Sequence, residues 1–453
     1  MTTDLTVGKP SQKLFWFSIP LLLSVAFQQL YQMADSIIVG RFAETVEAGE
    51  LALAAVGASY PITQLFVAVA TGINIGTGVL VSQLFGAKRY LRMKTAISTA
   101  LLTTTAVALL LTLIGAIGTT GIMNALSTPE NIFADGSLYL RVYVFGLLFL
   151  FIYNVCTGIF NAMGDSRTPL FLLILSSVGN VILDVVFVAM LHWGVAGVAW
   201  ATFIAQGASG VFAFFLLMRR VRTFDTGHHF ILFAPEMLRR LTNYAIPSIA
   251  QQSFVSVGNL IIQYYVNLCG PTVIAGFSVA NRINMFALTC CMSFASGLSS
   301  YVAQNIGARK YHNLDRVIRN CLLCVVVTGL VLGGGAALAG NQLLRFYSSD
   351  TAVIATGAER LRLICGFYLL CGIMDVLASS LRGLGYSVLP MVVSLIGVCA
   401  LRLVWIATIF QLNRTPFMLY ISYPISWALT ALVHLTCLLV VRRKLRQKQP
   451  QTI

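Results

Sequence analysis

Charge is scarce in this chain: Asp, Glu, Lys and Arg make up 10% of its 453 residues, while 58% are hydrophobic. A water-soluble globule of this length needs far more charge to cover its surface, so that class is excluded. Acidic residues are the rarest of the four, 15 against 30 Lys and Arg, which leaves a net charge of +15. Only five histidines are present, His192, His228, His229, His312 and His434. They are scattered, and do not supply the clustered His and Asp that an integral-membrane transferase would need at one interface. The ten cysteines lie mostly in apolar stretches. Cys321 and Cys324 have ligand-like spacing but no second pair, so no metal or redox role follows. The Gly-rich run from Thr71 to Gly78 lacks the Lys-Ser/Thr ending of a phosphate loop and lies inside an apolar span, which points to close helix packing.

What the chain has in abundance is apolar runs of about 20 residues, the length that crosses a bilayer, and a mean hydropathy of +0.84. Twelve spans are expected, near 14–40, 51–85, 93–117, 133–160, 169–191, 194–219, 238–268, 271–305, 315–341, 351–381, 389–411 and 416–441. The runs 51–85 and 271–305 exceed the minimum and should tilt or protrude. The first run holds Asp35 and is followed by no small-residue cleavage site, so it reads as a retained helix and not a secretory signal.

Lys and Arg then set the orientation. The tail, the C-terminus and alternate loops collect 22 of them, among them Lys88, Arg89, Arg219, Arg220, Arg309 and Arg442; the opposite loops hold Arg41, Arg345 and Arg414. Five more fall inside helices: Arg141, Arg282, Arg360, Arg362 and Arg402. Both termini are therefore expected on the cytoplasmic side. The basic loops read as topology signals attracted to anionic lipid, not as a nucleic-acid surface.

The chain also repeats itself. Gly86-Ala87-Lys88 recurs as Gly307-Ala308-Arg309, and Met163-Gly164-Asp165-Ser166 as Leu384-Gly385-Tyr386-Ser387, each 221 residues on; Ile19-Pro20 recurs as Ile246-Pro247 at 227. The expected architecture is an all-α integral membrane protein of twelve transmembrane helices in two six-helix halves. An even number of helices per half makes the repeats parallel, related by a pseudo-twofold axis along the membrane normal with a cavity between them. The halves are 1–218 and 241–453, and 219–240 is a cytoplasmic link.

A carboxylate in a spanning helix costs roughly 2.5–3.5 kcal/mol on insertion scales, so Asp35 and Asp184 stand out. Helical rise places both roughly 9–10 Å below the outer ends of their helices, with Asn180, Thr202 and Tyr139 at a similar depth. Two readings stay open: a proton or cation site, or a structural hydrogen-bond network. Asp375, seven residues from Arg382, is the weaker case. Gln28, Gln206, Gln252, Asn259 and Gln263 are candidates to line a substrate cavity, with interhelical hydrogen bonding as the plainer role. Pro20 and Pro247 free a carbonyl each, giving a kink or a hinge.

These residues together resemble a family. Ile19-Pro20 with Gln28-Gln29, Asp35-Ser36-Ile37-Ile38-Val39-Gly40, Gln83-Leu84-Phe85-Gly86-Ala87, Asn161-Ala162-Met163-Gly164-Asp165 and Ser380-Leu381-Arg382-Gly383, in this order over essentially the whole chain, look like the multidrug and toxic compound extrusion (MATE) transporters. The DinF-like prokaryotic branch is the nearer match. The resemblance implies a secondary antiporter exporting amphipathic, often cationic, drugs or metabolites in exchange for H⁺ or Na⁺. It implies a first-half cation site at Asp35, Asn180, Asp184 and Thr202, able to take Na⁺, and Pro20 as the hinge of the first helix. The second half departs from the NorM-like branch by lacking an acidic residue mid-way along its seventh helix. The expected setting is the cytoplasmic membrane of a prokaryote, as a monomer with small-molecule substrates, lipid neighbours, no nucleic acid and no cofactor beyond the coupling ion. A flippase of lipid-linked saccharides from the same superfamily is the alternative, which a cavity rich in Arg and Lys would favour.

Overall fold

The computed structural model describes residues 3–41, 46–224, 226–227, 229–346 and 350–447, with the side chains of 32–37, 39–41, 46–50, 53 and 446 outside the description. Its regular elements are all helical. In chain order they are α1 (Pro10–Arg41), α2 (Val46–Ala58), α3 (Tyr60–Gly86), α4 (Tyr90–Ala125), α5 (Glu130–Phe145), α6 (Leu147–Ala162), α7 (Arg167–Asp184) and α8 (Gly194–Arg222). There follow α9 (Pro235–Asn267), α10 (Pro271–Gly307), α11 (His312–Thr328), α12 (Gly334–Leu338), α13 (Gly340–Arg345), α14 (Thr351–Cys365) and α15 (Tyr368–Gly383). The last are α16 (Val388–Ser394), α17 (Leu401–Ala407), α18 (Ile409–Leu412) and α19 (Pro416–Gln447).

Among the described residues ten helical stretches are long and apolar enough to span a membrane, and two bent pairs bring the total to 12. The expected span 133–160 is the pair α5 and α6, bent by 48°, and 351–381 is α14 and α15, bent by 42°. The long run 51–85 is not one tilted helix. It breaks at Ser59, because Pro61 in the first turn of α3 has no N–H to bond back to the Gly57 carbonyl and continue the helix. By contrast, 271–305 is continuous within α10.

The internal repeat is written into the backbone of each half. Lys88 and Arg309 both sit in left-handed conformation, at φ 55° and 58°, and so do Gly164 and Gly385, at 76° and 94°. The turns after α3 and α10 close with matching bonds, Arg89 N–H to Leu84 C=O at 3.0 Å and Lys310 N–H to Asn305 C=O at 2.9 Å. The bent pairs break at Gly146 and at Gly366-Phe367, again about one repeat apart.

The chain partitions into two compact units, and they exchange the starts of their first helices. Unit 1 holds Met1–Thr3 and Leu23–Ile249; unit 2 holds Asp4–Leu22 and Ala250–Ile453. In unit 2, Leu5, Leu14 and Phe17 bury in a core with Leu298, Tyr301 and Val317. The Leu5 N–H donates to Gln304 Oε1 at 3.0 Å and Lys310 Nζ donates to the Thr6 carbonyl at 2.8 Å. In unit 1, Met237, Leu241 and Ala245 join a core built on Val81, Ile97, Phe151 and Ile159. The crossover points, Leu22 and Ile249, keep the 227-residue offset of Pro20 and Pro247.

Close packing in unit 1 uses the Gly-rich run. A Cβ on Gly72 would lie 2.5 Å from Ile249 backbone atoms, and one on Gly158 would lie 2.4 Å from Asn74 Oδ1. Without a hydrophobic drive between helices in lipid, such small-residue contacts supply the packing. Large apolar side chains such as Leu113, Ile117, Phe215, Val331 and Leu338 stay exposed, as lipid-facing surfaces require.

Candidate functional site

The buried face of α7 turns polar over its last two turns. Leu172 is succeeded by Ser177, Asn180 and Asp184, a spacing of three and then four residues that keeps all three on one side. Asp184 is fully buried, while Asn180 and Ser177 are 6% and 7% exposed. Ser177 Oγ and Asn180 Nδ2 find no hydrogen-bond partner among the described residues. A buried polar group left so costs about 1–3 kcal/mol, which an occupant of the site would recover.

Directly after Asp184 the helix widens into a π-helical segment, Val185–Met190. Such segments insert one residue into a helix and recur at functional sites, because they re-aim side chains and loosen carbonyls. The chain then reverses through His192 and Gly194, both with positive φ, into α8. Phe187 stacks on Trp193 with ring centroids 5.0 Å apart, and Gly197 lies so close to Phe187 that a Cβ there would fall at 3.1 Å. Asp184 thus sits at the start of a tightly held reversal.

One small cluster ties the neighbouring elements to this level. Ile38 of α1, Ala52 and Ala55 of α2, Ile132 of α5, Val188 of the π segment, and Val195 and Val198 of α8 bury together, with Tyr139 packed at their edge. Tyr139 is half-buried and stacks on Tyr143 at 6.3 Å. Thr202 is half-buried on α8, two turns beyond Val195. Asp35 lies on α1 three residues before Ile38, and its side chain is outside the described residues. Ser177 was missed from the sequence. Its signal was the three-and-four spacing to Asn180 and Asp184, hidden because an isolated serine in a span is unremarkable.

The cavity candidates divide between the units. Gln28 is exposed in unit 1, where Gln206 is half-buried beside the bend at Gly146. In unit 2, Gln263 donates to Asn267 on its own helix at 2.8 Å, Gln252 is half-buried and Asn259 is exposed. Two other polar residues of the sequence have structural work. Asp165 accepts from Thr168 N–H at 3.1 Å and from Thr168 Oγ at 2.9 Å, and pairs with Arg220 at 3.3 Å, fixing the start of α7. Gln251 bridges Ser394 Oγ at 3.0 Å and Arg382 at 3.2 Å.

Carboxylate, amide and hydroxyl groups on one dry face form the donor set that a proton or a hard cation selects. The MatE family model matches residues 20–186 and 247–408. The chain is 27% identical over 436 residues to the probable multidrug resistance protein YoeA of Bacillus subtilis, covering 94% of this chain and 93% of that one. It is 22% identical over 370 residues to the multidrug export protein MepA of Staphylococcus aureus, covering 82% and 80%. Among solved structures it matches the outward-facing conformation of a multidrug resistance MATE family transporter of the MOP superfamily, with TM-score 0.89, 21% identity and 99% of each chain covered. A MOP superfamily transporter from Pyrococcus furiosus, described by the reverse polarity of its binding pocket, matches with TM-score 0.90 and 21% identity over 98% and 99% of the chains. Structural likeness at that identity speaks to the fold, and the family match spans most of the sequence. The chain belongs to the MatE family: it is a twelve-helix membrane transporter of the multidrug efflux kind, handling small molecules with the help of an ion gradient, and it is not an enzyme.

Proposed function

We propose that this transporter exports amphipathic organic compounds, cations foremost, against an inward flow of H⁺ or Na⁺ that is coupled at Asp35, Asn180, Asp184 and Thr202, with Tyr139 beside them. The observation that carries the reading is the complete burial of Asp184 on one polar face with Asn180 and Ser177. An ionised carboxylate so placed is costly, and taking a proton or holding a cation among neutral oxygens lowers that cost. Occupancy therefore changes the charge of the site. That change would alter how the outer part of α1 packs, bending it near Pro20 and releasing substrate outward.

The proposal includes the orientation: both termini and the 219–240 link face the cytoplasm, in the cytoplasmic membrane of a prokaryote, and a monomer suffices. The test is ethidium transport by the purified protein in liposomes with ΔpH and ΔNa⁺ imposed separately. Dye movement should follow at least one gradient and collapse with its ionophore. Movement indifferent to both would overturn the antiport reading.

A further inference from the structure

Unit 2 holds a buried positive charge that the cation-coupling site does not use. Arg402 of α17 is 6% exposed. Its Nε donates to Ser426 Oγ at 2.8 Å, and its guanidinium carbon stands 4.1 Å from the Tyr423 ring centroid and 5.8 Å from that of Trp427. Its Nη2 is buried with no hydrogen-bond partner among the described residues. Arg360 of α14 repeats the theme: 3% exposed, 3.9 Å over the Phe277 ring, bonded through Nη2 to Asn281 Oδ1 at 3.1 Å, with Nε and Nη1 unpartnered. Neither guanidinium pairs with a carboxylate among the described residues.

A buried lysine or histidine can relieve itself by losing its proton, whereas arginine stays charged in proteins. Ring faces and one hydroxyl offset only part of the desolvation of such an ion, so the arrangement favours an anion as the missing partner. Arg402 also has somewhere to receive one. It lines a shallow recess, open on one side, with Asn259 and Gly258 of α9, and Val255, Val398 and Leu403 as apolar wall. Asn259 supplies a second polar group at this recess, next to Gly258, whose Cβ would stand at an ordinary 3.7 Å from Cys399 Sγ.

We infer that Arg402 and Asn259 form a subsite for the carboxylate end of an amphipathic organic molecule, whose apolar body lies along Val255, Val398 and Leu403. An arginine fork matches a carboxylate's two oxygens, and the apolar wall discriminates against a bare hydrated anion. The subsite extends the transporter's range from cations to carboxylates and zwitterions. It rests on unit 2 alone, so it stands or falls separately from coupling at Asp184.

The test is binding to the purified, detergent-solubilised full-length protein, measured calorimetrically and by the change in tryptophan fluorescence, for which Trp427 is the local reporter. The probes are 4-phenylbutyrate, its neutral amide and chloride. The carboxylate should bind saturably, the amide at least tenfold more weakly, and Arg402→Gln should weaken carboxylate binding at least tenfold while amide binding stays as in the native protein. Equal binding of acid and amide by the native protein overturns the inference, and that comparison needs no variant to fold. So does wild-type carboxylate affinity in Arg402→Gln, the absence of carboxylate binding, or binding of chloride alone.

Discussion

Gly76 of α3 and Ala245 of α9 meet backbone to backbone: a Cβ on Gly76 would fall 2.6 Å from Ala245 Cα. Gly78, two residues on, has nothing nearer than the Gly158 carbonyl at 3.7 Å, an ordinary contact. The two glycines therefore predict opposite outcomes for the same change. Gly76→Ala forces the helices apart and should cost about 1–3 kcal/mol, the usual range for overpacking. Gly78→Ala should be neutral or gain up to about 1 kcal/mol from helix propensity. Thermal melting followed by size-exclusion chromatography of the detergent-solubilised protein checks both, and equal melting temperatures would contradict the close approach.

Asp165 predicts a loss of stability without a loss of ion selectivity. Its carboxylate receives the first-turn N–H and the hydroxyl of Thr168 and pairs with Arg220, which is 30% exposed. Asp165→Ala removes a helix cap, about 1 kcal/mol, and a half-exposed ion pair worth little more. Asp165→Asn should recover most of the cap. The melting temperatures should order native, Asn, Ala, while the ratio of H⁺-driven to Na⁺-driven transport stays unchanged in all three.

The repeat was legible because its marks are local. Gly86-Ala87-Lys88 and Gly307-Ala308-Arg309 encode the same left-handed turn, and an offset of 221 residues can be read without any tertiary knowledge. The break at Ser59 was not read, because Pro61 lies within a long apolar run, 51–85, that reads as one span. The exchange at Leu22 and Ile249 was not: which core Leu14 or Met237 joins is decided by long-range packing, and apolarity alone does not name the partner. At the site, Asp184 and Asn180 were found because charge and amide are conspicuous in an apolar span. Ser177 and the widened turn at Val185–Met190 were not, because neither has a compositional signature.

The proposed cytoplasmic placement of the 219–240 link rests on the distribution of Lys and Arg, 22 in one set of loops and tails against three in the other. In a cysteine-free background, a cysteine introduced at Thr226 should resist an impermeant maleimide added to intact cells and react once the cells are opened. Labelling from outside would invert the orientation and, with it, the direction of transport.

The most direct test of coupling at the α7 face is ion-driven ethidium transport by Asp184→Asn in liposomes, side by side with the native protein. The amide keeps the shape of the carboxyl but neither takes up a proton nor carries the charge that holds Na⁺. With melting temperature as the control for folding, gradient-driven transport should fall to the level of protein-free liposomes while the variant still binds ethidium. A properly folded Asp184→Asn that transports the dye at the native rate would contradict the account and place the coupling ion elsewhere.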